Sequence, residues 1–318
     1  MTAFLEEHAA QVREAAGRIA PHVRRTMVIT TDLDPQLRLK PECFQVTGSF
    51  KVRGAFNAVL SLMSRGTPAG FIAVSSGNHA QAVALAASKA GLPALILIPE
   101  DANPAKVAAT RALGAEVIQE GITFANREER MREVMAERGL TLVHPFDDWD
   151  VIHGQGTAAM ELLQDAPELE VVAAPIGGGG LLSGTAISSK HHRATTTVIG
   201  VEPARADDAF QSWKAHRIEA LPAPPQTLAD GVRTVSVGRR NFEVMFANGL
   251  VDQIVTVTED EIADAVRVAW SRLHLALEPT GALPLAAYLA GKLPAGRKGL
   301  ILSGGNANLN TVATLLNS

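Results

Sequence analysis

Short apolar runs alternate along this chain with longer stretches of helical period. Phe71–Val74, Ala94–Ile98, Ala115–Ile118, Val171–Ile176, Val198–Val201, Gln253–Val257 and Gly299–Leu302 read as strands. Their near-continuous apolar character suits strands buried on both faces. Helical spacing covers roughly 51–64, 78–90, 104–113, 124–138, 154–164, 259–274 and 281–291. Gly91 and Gly114 stand where glycines close helices. This alternation predicts an α/β protein with parallel sheets. Leu221–Thr227, rich in proline, reads as a surface connection.

Length changes the picture first. The chain has 318 residues, and single cores stop growing at roughly 250–300, so two compact domains are expected. The net charge is -4, from 29 basic and 33 acidic side chains. That balance gives no reason to expect nucleic acid or an anionic membrane as partner. Cys43 is the one cysteine, so no intrachain disulfide forms. The first twenty residues are acidic and amphipathic and lack the apolar segment of a signal peptide. No apolar run approaches the roughly 20 residues that span a bilayer. A cytoplasmic protein is expected, and a homodimer, as the commonest soluble oligomer.

Four stretches carry candidate chemistry. In Gln45–Ala55, QVTGSFKVRGA, a polar turn precedes Lys51 at the start of a helix. A lone lysine there is ordinarily a solvated helix residue. The dipole at a helix N-terminus disfavours its ammonium, however, and a neutral amine is what Schiff-base chemistry needs. The strand Phe71–Val74 runs into Ser75-Ser76-Gly77-Asn78-His79 and an Ala-rich helix. Such a turn either caps the helix with Ser or Asn, or offers backbone N–H groups to an anion.

Val171–Ile176 leads into Gly177-Gly178-Gly179-Gly180. A strand, glycine cluster and helix can wrap a phosphate, since a Cβ would block close approach. A flexible turn is the plain alternative. No Walker or GxGxxG pattern is present. Gly299–Leu302 ends in Ser303-Gly304-Gly305-Asn306, where the serine by itself is a turn residue. Glu202 and Asp208 form a fifth feature, hard oxygen ligands on one short loop. A solvated acidic loop has the same spacing.

Together these motifs resemble the fold type II pyridoxal-phosphate enzymes, in the serine/threonine dehydratase and serine racemase branch. The resemblance runs from about residue 20 to 316. It implies a two-domain architecture like that of tryptophan synthase β, with parallel twisted sheets. The large domain would hold 1–69 and 147–318, and the small one 70–146.

Lys51 would carry the cofactor and Phe50 pack beside its ring. Gly177–Gly180 would cup the phosphate and Ser303 meet the pyridine nitrogen, with Glu278 near the ring. Ser75, Asn78 and His79 would contact the substrate carboxylate or the cofactor's O3′. Ser76 would serve a racemase as acid/base. Arg127 would contact the carboxylate and Thr234 face the substrate. Glu202, the Ala206 carbonyl and Asp208 would bind a divalent cation such as magnesium.

The resemblance implies loss of water from serine, threonine or 3-hydroxyaspartate, giving a 2-oxo acid and ammonia, with racemisation as a companion reaction. β-Replacement on the same scaffold is the first alternative, and a non-catalytic phosphate or nucleotide module the second. Arg25-Thr26-Met27 departs from the Thr-Pro usual in relatives. The chain ends soon after Ser303–Asn306, so no regulatory domain or isoleucine inhibition is expected.

Overall fold

A computed structural model describes residues 2–102 and 104–317. In chain order, α1 (Thr2–Ile19) leads to a hairpin of β1 (Ile29–Thr31) and β2 (Asp34–Pro41), then α2 (Lys51–Arg65). There follow β3 (Phe71–Val74), α3 (Asn78–Lys89), β4 (Ala94–Leu97), α4 (Pro104–Ala112), β5 (Glu116–Ile118), α5 (Arg127–Arg138) and β6 (Thr141–Leu142). The chain continues through α6 (Trp149–Asp165), β7 (Val171–Pro175), α7 (Gly180–His192), β8 (Thr197–Pro203) and α8 (Asp208–Ala215). It closes with α9 (Arg239–Phe242), β9 (Gln253–Val257), α10 (Glu259–Ser271), α11 (Leu283–Leu289), β10 (Lys298–Leu302) and α12 (Leu309–Asn317).

The strands form a six-stranded sheet, β1-β2-β10-β7-β8-β9, and a four-stranded sheet, β5-β4-β3-β6. All pairings are parallel except β1 with β2. The expected α/β fold with parallel sheets is what the chain adopts.

The central runs are apolar because both sheet faces are covered, whereas the edge strand β5 departs from that expectation, with Glu116 exposed and Val117 and Ile118 half-buried. Val171 and Ala173 enter one core with α10 and α11, while Val172 and Ala174 enter another with α6 and α7. The smaller sheet divides the same way. Phe71 and Ala73 pack with α2 and α3, and Ile72 packs with Met131 and Val134 of α5. With side chains alternating across a strand, a polar residue at any of these positions would be buried without a partner.

Three differences from expectation have physical causes. The hairpin β1–β2 escapes an apolar-run reading because Asp34-Pro-Gln-Leu-Arg-Leu-Lys-Pro buries only its later residues. Yet β2 pairs with β10 in register, Leu39 opposite Leu300 and Pro41 opposite Leu302. That pairing delivers the segment before Lys51 beside the strand end at Ser303. Helix α6 begins at Trp149, five residues before the expected 154, because the Asp148 side chain accepts from the Val151 N–H at 3.0 Å. Strand β6 is two residues long, too short for periodicity to register. Gly91 and Gly114 adopt the expected positive φ, +72° and +92°.

Candidate active site

Lys51 begins α2 and is half-buried. Its Nζ donates to the Pro145 carbonyl oxygen at 2.6 Å. Burial lowers its pKa to about 8, because an ammonium without water or a carboxylate is disfavoured. The Phe50 ring lies 5.3 Å from Nζ.

Backbone pairing brings the serine strand end to the lysine. The Phe50 N–H donates to the Ser303 carbonyl at 3.0 Å, and Ser49 pairs antiparallel with Gly304. Both Ser303 and Ser49 are buried, and Ser49 Oγ has no partner. Gly304 also accepts from the Glu278 N–H at 3.2 Å. The Glu278 carboxyl is raised to about 7 by burial and, less, by Asp230. It accepts from Asn78 Nδ2 at 2.7 Å, which draws in the start of α3.

The Ser75–His79 turn does not behave as a plain cap. Helix α3 has Gly77 as N-cap and no side-chain cap bond. Ser75 Oγ accepts instead from the Gly77 N–H at 3.2 Å. The N–H groups of the first turn therefore remain available to an anion. Ser76 is exposed. The His79 ring has turned away: Nε2 lies 2.8 Å from the Val143 carbonyl, an acceptor, so Nε2 carries the proton. Burial and the neighbouring Lys51 lower its pKa to about 3. A neutral, committed ring cannot act as a cation toward a carboxylate; what His79 can offer is its backbone N–H.

The glycine loop is a close-packed cradle rather than a flexible turn. Gly179 sits at φ +101° and caps α7 with no side chain. A Cβ at Gly178 would run into the Phe146 ring, and one at Gly177 would come within 3.1 Å of Val232. Val232 belongs to the Ala229–Thr234 loop, where Thr234 Oγ1 is buried without a partner. In the first two turns of α7, Ser183 Oγ and Thr185 Oγ1 are also buried and unpartnered.

The residues present fit pyridoxal phosphate. There is a half-buried amine of lowered pKa, a glycine cradle at an uncapped helix start, and unpartnered hydroxyls in the flanking segments. Gly177–Gly180 and the α7 N–H groups would hold the phosphate, Lys51 the aldehyde carbon and Ser303 the ring nitrogen.

Sequence reasoning missed Val143–Phe146. This segment after β6 supplies the carbonyls for His79 and Lys51 and the ring against Gly178. Asn241 Nδ2 anchors it from α9 through the Phe146 carbonyl at 3.0 Å. The available signal was His144-Pro-Phe-Asp following a short apolar run, a cluster no other element explained.

Two sets lie apart from these motifs. Arg127 opens α5 half-buried, with its guanidinium 3.4 Å from the Phe124 ring centroid. That cation–π contact is with a neighbour on its own segment, not with a motif residue. Glu202 is the penultimate residue of β8, and Asp208 opens α8; both are buried, not solvated. Glu202 accepts from the N–H groups of Phe210 (2.7 Å) and Ala209 (3.3 Å). Burial and then Asp208 push the Glu202 carboxyl well up, and burial raises Asp208 to about 7. Asp208 Oδ2 has no partner, and Ala206 is buried between the two. An unpaired buried oxygen beside a second carboxylate fits a hard cation. Among the described residues no group of three or more His, Cys, Asp or Glu could hold a metal. Nor is any helix there long and apolar enough to cross a membrane.

Comparison with known proteins gives the family. The profile described as "Pyridoxal-phosphate dependent enzyme" matches residues 19–304. A serine racemase from Oryza sativa subsp. indica is 40% identical over 313 residues, 95% of this chain and 91% of that protein. An L-threo-3-hydroxyaspartate ammonia-lyase from Saccharomyces cerevisiae is also 40% identical, over 312 residues, 96% of this chain and 95% of that protein. The crystal structure of a T.th. threonine deaminase superposes with a TM-score of 0.89 at 48% identity, covering 94% of this chain and 98% of that one.

Proposed function

The chain belongs to the fold type II pyridoxal-phosphate-dependent enzymes, in the group of serine racemases, threonine deaminases and hydroxyaspartate ammonia-lyases, and on that premise we propose that it removes water from a β-hydroxy amino acid. The enamino acid left by loss of water takes one water back on hydrolysis, so the net products are a 2-oxo acid and ammonia. The observation that carries the proposal is the half-buried Lys51 amine, with a pKa lowered to about 8, joined through Phe50 to Ser303 and through Pro145-Phe146 to the glycine cradle.

Bound pyridoxal phosphate would supply an electron sink for the charge left when a substrate Cα–H bond breaks. The protein supplies the rest. The uncapped start of α3, over Ser75–His79, binds the substrate carboxylate. Lys51 Nζ takes the α-proton; its lowered pKa leaves a usable neutral fraction near pH 7. Ser303 can hydrogen-bond a ring nitrogen without forcing its protonation, as an aspartate would, and this suits elimination over a long-lived carbanion. Thr234 and Arg127 belong to the substrate side of the proposal. Ser76 is exposed beside the carboxylate turn, where its hydroxyl could return a proton to Cα; that supports racemisation as a companion reaction.

The same proposal assigns Glu202, the Ala206 carbonyl and Asp208 to a divalent cation such as magnesium, and a homodimer in the cytoplasm as the working form. It divides the chain into 1–69 with 147–318 and an inserted 70–146. The four strands of the smaller sheet all fall within that insertion, so its movement could close on substrate and exclude water.

The test is a panel of L- and D-serine, L- and D-threonine and the 3-hydroxyaspartates, assayed for 2-oxo acid and for inverted amino acid. Release of 2-oxo acid from at least one member is expected. A thioether amino acid as the main product from serine and a thiol would establish β-replacement instead.

A further inference from the structure

Asn306 ends the motif that begins at Ser303, and its half-buried amide makes two hydrogen bonds. Nδ2 donates to the Thr47 carbonyl at 2.7 Å and to Asn78 Oδ1 at 2.8 Å. Asn78 Nδ2 donates in turn to Glu278 Oε1 at 2.7 Å. Four separate segments thus meet in one chain of bonds.

The direction of that chain is fixed at one end. Thr47 contributes a backbone carbonyl, which can only accept. It therefore dictates which end of the Asn306 amide faces it. With one Asn306 N–H spent on Thr47 and the other on Asn78, Asn78 must present its oxygen. Its nitrogen is then turned to Glu278, whose carboxyl offers an accepting oxygen in either protonation state. An amide has two N–H bonds, so Asn78 keeps one donor beyond the bond to Glu278. Space for Asn306 is reserved as well: a Cβ at Gly48 (φ +73°) would collide with Asn306 Oδ1 and come within 3.1 Å of its Cγ.

We propose that Asn306 is a positioning residue that locks the Asn78 amide, so that the remaining Asn78 N–H is a fixed donor for the cofactor's ring oxygen. This rests on the functional reading above. Without the lock, Asn78 can turn its oxygen to that place, and an anionic ring oxygen would meet an acceptor instead of a donor.

The experiment uses holoenzyme prepared with pyridoxal phosphate. N306D is the informative variant, because a carboxylate cannot donate to Thr47 or to Asn78 Oδ1 and invites Asn78 to flip. N306S is a milder second variant, in case N306D does not fold. The readouts are the cofactor absorption spectrum against pH and cofactor retention on dialysis, with circular dichroism and a melting curve as folding controls. We expect a displaced pH titration of the absorbance and retention weakened roughly three- to tenfold, the worth of about one hydrogen bond. Because Asn306 acts through Asn78, the substitution should change neither readout in an N78A background. A wild-type spectrum in both Asn306 variants, or effects that add to N78A, would overturn the positioning role. Wild-type protein that gains no chromophore would overturn the functional reading itself, and this inference with it.

Discussion

Lys51 Nζ reaches the carbonyl oxygen of Pro145, 2.6 Å away and 94 residues later in the chain. A carbonyl accepts from a neutral amine as well as from an ammonium, so the bond holds the side chain in place without requiring its charge. Burial then sets the balance, lowering the pKa from 10.5 to about 8.

Cofactor capture by cofactor-free protein should therefore accelerate with rising pH and level off above about 8. Stopped-flow absorbance against pH measures it. An inflection near the ordinary lysine value would contradict the burial argument. Stability should follow the same window: between about 8 and 10.5 the unfolded chain holds a proton that the folded Lys51 has lost. The unfolded state binds more protons there, so the cofactor-free protein gains stability as pH rises. K51A should remove both effects.

Arg53, two residues on, is fully buried between carboxylates. It bonds Glu42 at 2.7 Å and Glu161 at 2.8 Å, while buried Lys40 meets Glu161 at 2.7 Å. Thr26 Oγ1 adds a bond to Glu42 at 2.6 Å, a role for the residue in the departing Arg25-Thr26-Met27 stretch. Replacing Arg53 with methionine keeps most of the volume but strands two carboxylates beside one lysine. Denaturant unfolding should show a loss of about 3–5 kcal/mol. A loss under about 1 kcal/mol, the scale of an exposed pair, would mean that water reaches the network.

Helices α6 and α7 cross where Gly184 faces Gly156. A Cβ at Gly184 would lie 2.5 Å from the Gly156 nitrogen and the Ile152 oxygen, both backbone. Neither atom can swing aside as a side-chain tip could. G184A should cost at least about 1–3 kcal/mol in chemical denaturation. G178A presses instead on the Phe146 ring, so its larger effect should be on retention of pyridoxal phosphate in dialysis.

Magnesium or calcium should raise the melting temperature of the protein, and a chelator should reverse the rise. D208N and E202Q should each abolish that response while leaving the protein folded. A melting curve indifferent to both cations would show that no cation binds between Glu202 and Asp208, and that Glu202 serves only to accept from the N–H groups of Ala209 and Phe210 in α8.

Much of the site was legible because its chemistry is local. Gly177–Gly180 must be glycine wherever a backbone has to approach closely, and Ser75–His79 marks a strand-to-helix turn by itself. Val143–Phe146 was not legible. Its contribution is two backbone carbonyls and one ring aimed at residues far away in sequence, and a carbonyl leaves no trace in residue identity. The placement of the His79 ring has a related cause. Its residue type suggests a polar contact with substrate, while burial and the Val143 carbonyl determine what the ring does.

By itself the sequence determined the alternation of strand and helix, the burial of the central strands on both faces, and the presence of an amine, a glycine cradle and a serine strand end. These follow from periodicity and residue type, which act over a few positions. Only the tertiary structure decided which motifs touch. The β2–β10 register sets Lys51 beside Ser303, and the bond chain from Thr47 to Glu278 orients Asn78. Contacts of this kind depend on where distant segments are packed, and on donors and acceptors of the backbone that every residue carries alike.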